Sequence, residues 1–120
     1  MTDALPLLIV EPNGDMNTLL QRFFARQQVD VEAVTSVADA TAYLAQRPVR
    51  MVLTDLFLPH GDGLTLVRNI RDRAPYTRVV VMGAFSAPET QQHAIAAGAE
   101  MFLEKPFTLA RLWEVVQLAL

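Results

Sequence analysis

The sequence predicts an α/β fold in which a βα unit recurs five times and one parallel sheet is covered by helices on both faces. Three observations predict it. Short apolar runs alternate with segments whose apolar residues recur at helical spacing. Each run is closed by a Pro, Gly or acidic break. The connections are short, which favours helices packed across a parallel sheet.

The first strand is read at residues 5–10, which are almost wholly apolar. Glu11-Pro12-Asn13-Gly14-Asp15 breaks it, and Asn13 or Asp15 can cap the helix that follows. In that helix Met16, Leu19, Leu20, Phe23 and Phe24 form one apolar face, with Arg22 and Arg26 on the other side. Residues 29–34 alternate apolar and acidic, as a half-exposed edge strand does. Ser36 can cap a second helix, with Asp39 completing a weak capping box. Val37, Ala40, Leu44 and Ala45 are its inner face, and Pro48 ends it.

The third strand, residues 51–55, is apolar and ends on an acid, Asp55. Leu58-Pro59 and the turn His60-Gly61-Asp62-Gly63 lead into a third helix that buries Leu66, Val67 and Ile70 and stops at Pro75. Residues 78–82 are the most β-prone run and form the fourth strand. Pro88 suits the first turn of a fourth helix, and Gly98 suits its C-terminal cap. Ile95 is the only large aliphatic residue in that helix, so it is expected to be the least firmly packed. Residues 101–103 are the fifth strand. Thr108 then caps a last helix with Leu109, Leu112, Trp113, Val116 and Leu120 on one face.

Composition narrows the function. The 120 residues suffice for one domain and are too few for two. A hydrophobic content of 52% implies a well-filled core. The net charge is -3 with no basic block, which argues against nucleic acid or an anionic membrane as the direct partner. There is no cysteine, hence no disulfide framework and no thiol chemistry. No signal peptide and no membrane-spanning run is expected, and a reducing, cytoplasmic setting fits. His60 and His93 lack metal-ligand spacing and are read as surface residues.

In a parallel sheet the breaks that follow the strands gather along one edge. That edge receives Glu11, Asp55, Gly83 and Lys105. Two carboxylates a few Å apart repel unless a cation lies between them. Mg²⁺ is the expected cation, because it takes one or two carboxylates and completes its shell with water and phosphate oxygens. Lys105, the only lysine, supplies a point charge for a phosphate oxygen or a carboxylate. Together these groups describe a carboxylate that accepts a phosphoryl group. The same residues would equally form a Lys105–Asp55 salt bridge with no turnover.

Asp55-Leu56-Phe57-Leu58-Pro59, then Asp62-Gly63, with Lys105-Pro106-Phe107 at the right distance, resembles the receiver domain of bacterial two-component response regulators. The resemblance covers the chain from Leu7 to Leu120, so residues 1–120 are read as a single receiver domain. It implies a flavodoxin-like sheet of order 2-1-3-4-5 and a signalling phosphoacceptor rather than a metabolic enzyme. By resemblance, Asp55 is the phosphoacceptor from a histidine kinase or phosphotransfer protein, and Lys105 contacts the phosphoryl group. Mg²⁺ is held by Glu11, Asp55 and the backbone carbonyl of Phe57. Phe102 is the switch aromatic, and the peptide bond before Pro106 is cis.

Two positions depart from the family pattern. Pro12 stands where the family has a second acid that binds the metal, which weakens Mg²⁺ binding. Gly83 stands where the family has Thr or Ser, so the hydroxyl that contacts the phosphoryl group and couples it to Phe102 is absent. Ser86 lies nearby in sequence, and Phe57 and Phe85 flank the site with apolar bulk expected to slow phosphoryl loss.

These departures keep a second reading open: a pseudo-receiver that binds a protein partner without phosphate. Trp113, Val115 and Leu118 spread apolar surface around the last helix, which suits a homodimer or partner face built with the fourth helix and fifth strand. Enzyme readings fit less well. A flavodoxin needs a Ser/Thr/Gly-rich phosphate cradle after the first strand, where this chain is acidic. A haloacid-dehalogenase-type phosphatase needs a second acid two residues after its nucleophile, where Phe57 stands.

Overall fold

The computed structural model describes residues 5–84 and 88–120. Phe85 and Ser86, named above beside the site, lie outside the described residues. The elements run β1 (Leu7–Val10), α1 (Gly14–Arg26), β2 (Val31–Val34), α2 (Val37–Gln46), β3 (Met51–Asp55), β4 (Phe57–Leu58), β5 (Gly61–Asp62), α3 (Gly63–Arg73), β6 (Arg78–Ala84), α4 (Pro88–Ala97), β7 (Met101–Lys105) and α5 (Leu109–Ala119).

The main sheet has the order β2-β1-β3-β6-β7, and every pairing in it is parallel. With the hairpin β4-β5 set aside, this is the flavodoxin-like order 2-1-3-4-5. β2 is an edge strand, as its alternating pattern predicts, and β3 is central and buried at every residue. The sheet divides the core into two layers. Leu8, Val10, Val52, Val79 and Val81 pack with Ala40, Leu66, Val67, Ile70 and Ala94 beneath α2, α3 and α4. Leu7, Ile9, Leu53, Val80 and Met82 pack with Leu20, Phe24, Leu112, Val115 and Val116 beneath α1 and α5. A Leu→Ala change in either layer costs about 2–5 kcal/mol.

The helix starts follow the side chains that cap them. Asn13, Ser36, Asp62 and Thr108 each accept the backbone N–H three residues on. Pro48 and Pro75 stand just beyond the ends of α2 and α3. Gly98 ends α4 at φ +121°, a conformation that suits glycine, and the Ala99 N–H returns to the Ala94 carbonyl.

Several faces differ from the sequence reading. Leu19 is 46% exposed, and Asn17 takes its place on the buried face of α1. Ala45 is exposed on α2. Ile95 points outward at 47% exposure, and Ala94 is the residue α4 buries. On α5, Leu109 and Leu120 are largely exposed while Val115 is fully buried. Trp113 packs edge-on against Phe23, with ring centroids 6.1 Å apart. Val115 is therefore a core residue, half-buried Trp113 packs against the core, and Leu118, 68% exposed, is what remains of the surplus apolar surface expected there. The reason is geometric. Leu112, Val115, Val116 and Ala119 follow the i, i+3, i+4, i+7 spacing of one helix face, and that face excludes Leu109 and Leu120.

β6 and β7 run further than their apolar cores. Ladder pairing continues through Gly83↔Glu104 and Ala84↔Lys105, overriding the weak strand preference of Gly, Glu and Lys. Gly83 and Lys105 thus sit on sheet backbone rather than on loops. Among the described residues no helix is long and apolar enough to cross a membrane.

Candidate functional site

The carboxyl ends of β1, β3 and β7 bring Glu11, Asp55 and Lys105 together. Glu11 follows the last residue of β1, while Asp55 and Lys105 are the last residues of their strands. The Lys105 ammonium lies 2.7 Å from Glu11 Oε1 and 2.8 Å from Asp55 Oδ1. Glu11 is 1% exposed, and Asp55 is buried as well. The Lys105–Pro106 peptide bond is cis.

Each acid is positioned by local chemistry. The Asn13 N–H donates to Glu11 Oε2 at 3.0 Å. The Asn17 amide donates to the Glu11 carbonyl and to the Val34 carbonyl, both at 3.0 Å, tying the end of β1 to β2. Sequence reasoning missed Asn17. The available signal was a polar residue at position 17 in step with the buried Leu20 and Phe24. Asp55 is held from below by Gly63. A Cβ at that position would lie 2.4 Å from the Asp55 carbonyl oxygen, so only glycine lets α3 start this close to β3. The Gly63 N–H donates to the Leu56 carbonyl at 2.7 Å, and Asp62 caps α3. The Asp62-Gly63 pair therefore has a structural reason independent of phosphate.

Two negative charges and one positive leave the cluster one negative charge in excess. Burial is the main reason the Asp55 carboxyl is pushed up to about 7, with the Glu11 carboxylate adding to it and Lys105 opposing it. Burial would also raise Glu11, but hydrogen bonding with Asp55, Lys105 and the Asn13 N–H outweighs it and lowers the Glu11 pKa. Burial would lower Lys105, and its contacts with both acids raise it instead. At neutral pH the pair thus shares the ammonium and is close to sharing a proton.

Asp55 Oδ1 is buried, with the Lys105 ammonium 2.8 Å away. Two buried carboxylates side by side with a single ammonium between them fit a hard cation such as Mg²⁺. No group of three or more His, Cys, Asp or Glu side chains placed to hold a metal occurs among the described residues. A fuller shell would need water, backbone carbonyl or phosphate oxygens.

Gly83 lies on the same edge. The ring of Phe102, from the neighbouring strand, covers it: a Cβ at 83 would lie 2.9 Å from Phe102 Cζ. The Phe57 side chain is 74% exposed, and His60 and His93 are exposed too. A cleft of about 390 Å³ lined by Leu44, Ile70, Arg73 and Tyr76 opens at the opposite end of the sheet and contains none of these site residues.

Comparison with known proteins follows the same lines. The family model of the response regulator receiver domain matches residues 7–117. The chain belongs to the response regulator receiver domains. It is 40% identical over 113 residues to the response regulator protein PilR of Pseudomonas aeruginosa, covering 94% of this chain and 25% of PilR. The structure of NtrX from Brucella abortus superposes with a TM-score of 0.89 at 29% identity, covering 98% of this chain and 27% of that one. The chemotaxis response regulator CheY4 of Vibrio cholerae superposes with a TM-score of 0.92 over 98% of this chain and 100% of its own, at 21% identity, a likeness of fold. The chain thus spans about a quarter of the length of PilR and of NtrX. Receiver domains are signalling phosphoacceptors rather than metabolic enzymes, and they generally bind Mg²⁺ at the phosphorylation site.

Proposed function

We propose that this receiver domain accepts a phosphoryl group on Asp55 from a histidine kinase or phosphotransfer protein and passes the signal on through a protein surface. The observation that carries the reading is Lys105 bridging Glu11 and Asp55 at 2.7 and 2.8 Å. An Asp55 carboxylate oxygen attacks phosphorus, and the bond from phosphorus to the donor's histidine nitrogen breaks. The electron pair of that bond returns to the imidazole, which takes up a proton from solvent. Lys105 neutralises charge gathering on the phosphoryl oxygens and keeps the attacking carboxylate in place. Glu11, Asp55 and the Phe57 carbonyl would hold Mg²⁺. When bound, that ion supplies positive charge and orientation for the incoming phosphoryl oxygens.

The test is intact mass after incubation with Mg²⁺ and acetyl phosphate, beside Asp55→Asn. A single phosphoryl adduct that the variant lacks supports the reading. A folded protein with no adduct at any Mg²⁺ concentration would sink it.

Pro12 and Gly83 favour a second reading, a protein-interaction module that works without phosphate. Ile95 on α4 and Leu118 on α5 are exposed apolar residues for such a face or for a homodimer. Sedimentation over a hundredfold concentration range, with Leu118→Glu as control, separates self-association from a monomer that needs a different partner.

A further inference from the structure

We propose that the cleft between the ends of α2 and α3, at the end of the sheet away from Asp55, binds a compact organic acid: an apolar body in the cleft and one carboxylate at its rim. The proposal does not rest on the phosphoacceptor reading, and the cleft shares no residue with that site.

The cleft encloses about 390 Å³, within the range of small-molecule sites. At about 30 Å³ each, the share of one molecule in liquid water, that is room for roughly a dozen non-hydrogen atoms. Its apolar floor is already in place: Val49, Leu66 and Ile70 line it and are buried. Leu66, Ile70 and Arg73 follow one face of α3 at i, i+4 and i+7, so the face that lays down the floor also brings a guanidinium to the cleft. Buried Thr77 donates its hydroxyl proton to the Val49 carbonyl at 3.1 Å, which ties the floor to the turn before β6.

Charge selects the occupant. No Asp or Glu lines the cleft, and two arginines do, Arg47 and Arg73. Both are exposed, and among the described residues neither forms a salt bridge. Arg47 stands 6.0 Å from the Tyr43 ring centroid, a contact that orients it without neutralising it. The C-terminal ends of α2 and α3 oppose the arginines with roughly half a negative charge each. Two positive charges less about one leave a single positive charge in excess, in a chain whose net charge is -3. A monoanion matches that excess. A polyanion does not, because Asp30 and Glu32 line a smaller neighbouring cleft that Arg47 also lines. Placing the hydrocarbon inside and the carboxylate at the wet rim avoids the cost of burying a charge. Tyr76, 83% exposed in the lining, offers a planar body an aromatic face.

The probe is 2-naphthoate, titrated into the whole chain and followed by methyl and amide NMR. Saturable shifts are expected around Leu44, Val49 and Ile70. The alcohol 2-naphthalenemethanol, of similar shape without the charge, should bind several-fold more weakly. Arg47→Gln and Arg73→Gln should each weaken naphthoate binding by roughly two- to fivefold, as removal of an exposed ion pair does, and the double variant should bind it no better than the alcohol. Ala45→Trp, at an exposed position of the cleft wall, should abolish the shifts while the Tm stays within a few degrees. Equal binding of acid and alcohol to the native chain would overturn the proposal, whatever the variants do. So would the lack of any saturable shift, or shifts centred on Lys105. Displacement of naphthoate by hexaglutamate would mean a polyanion surface, and shifts in the cleft on raising protein concentration alone would mean that a second copy covers it. Either result also sinks the proposal.

Discussion

The ammonium of Lys105 stands as close to Glu11 as to Asp55, at 2.7 and 2.8 Å, although Glu11 is the more deeply buried acid. The lysine thus serves as counterion to a pair. Removing it strands both carboxylates. Lys105→Met is expected to cost about 3–5 kcal/mol at pH 8, as breaking a buried ion pair does. The loss should be smaller at pH 5, where Asp55, with its pKa at about 7, already holds a proton. Urea unfolding at the two pH values checks this, and an equal loss at both would contradict it.

Asp55 itself gives a pH signature. Its folded pKa of about 7 lies above the ordinary carboxylate value, so between the two the folded chain holds a proton that the unfolded chain has released. The stability tied to that proton is full below the unfolded value and fades as pH rises through 7. Asp55→Asn removes the titration. In metal-free buffer its stability relative to the native chain should improve by roughly 2–4 kcal/mol from pH 4 to pH 8. A difference that stays flat across that range would refute the assignment.

Pro12 sets the metal affinity. Restoring an acid by Pro12→Asp adds a negative ligand beside Glu11, and Mg²⁺ binding should tighten on the order of tenfold, about 1.4 kcal/mol. Isothermal titration of Mg²⁺ into both proteins measures it. Unchanged affinity would mean that position 12 does not face the ion.

Two glycines make a matched pair. Gly63→Ala places a methyl 2.4 Å from the Asp55 carbonyl oxygen and should destabilise the fold by about 1–3 kcal/mol. Gly14→Ala, in the first turn of α1, meets nothing within 4 Å and should be neutral or stabilising by up to about 1 kcal/mol. Thermal melts of the two variants side by side should show opposite signs or a clear gap.

Asn17 holds the backbone of the site. Asn17→Leu leaves the Glu11 and Val34 carbonyls without their side-chain donor and should cost about 1–3 kcal/mol. Hydrogen exchange should quicken at the β1–β2 pairing more than at β3–β6. Uniform quickening would argue for a general loss of stability instead.

Much of the fold was legible because buried parallel strands write themselves as unbroken apolar runs, as in Met51-Val52-Leu53 and Val79-Val80-Val81. The meeting of Glu11, Asp55 and Lys105 was legible too, since strand ends share one edge in this topology. The β4-β5 hairpin was not, because two-residue strands carry no period. The outward turn of Leu19 and Ile95 escaped notice because hydrophobicity does not say which of two apolar neighbours faces the sheet. The covering of Gly83 by Phe102 depends on a ring's rotamer across two strands, which no local pattern encodes.

Glu11 and Lys105 are separated by 94 positions, and the lysine comes from the last strand of the sheet. A ribosome therefore delivers both acids well before their cation. Until the final βα unit docks, Glu11 and Asp55 must keep water or protons around them. Docking of β7 is the moment at which this edge gains its counterion, and a nascent chain stalled before residue 101 would hold Glu11 and Asp55 with no ammonium between them.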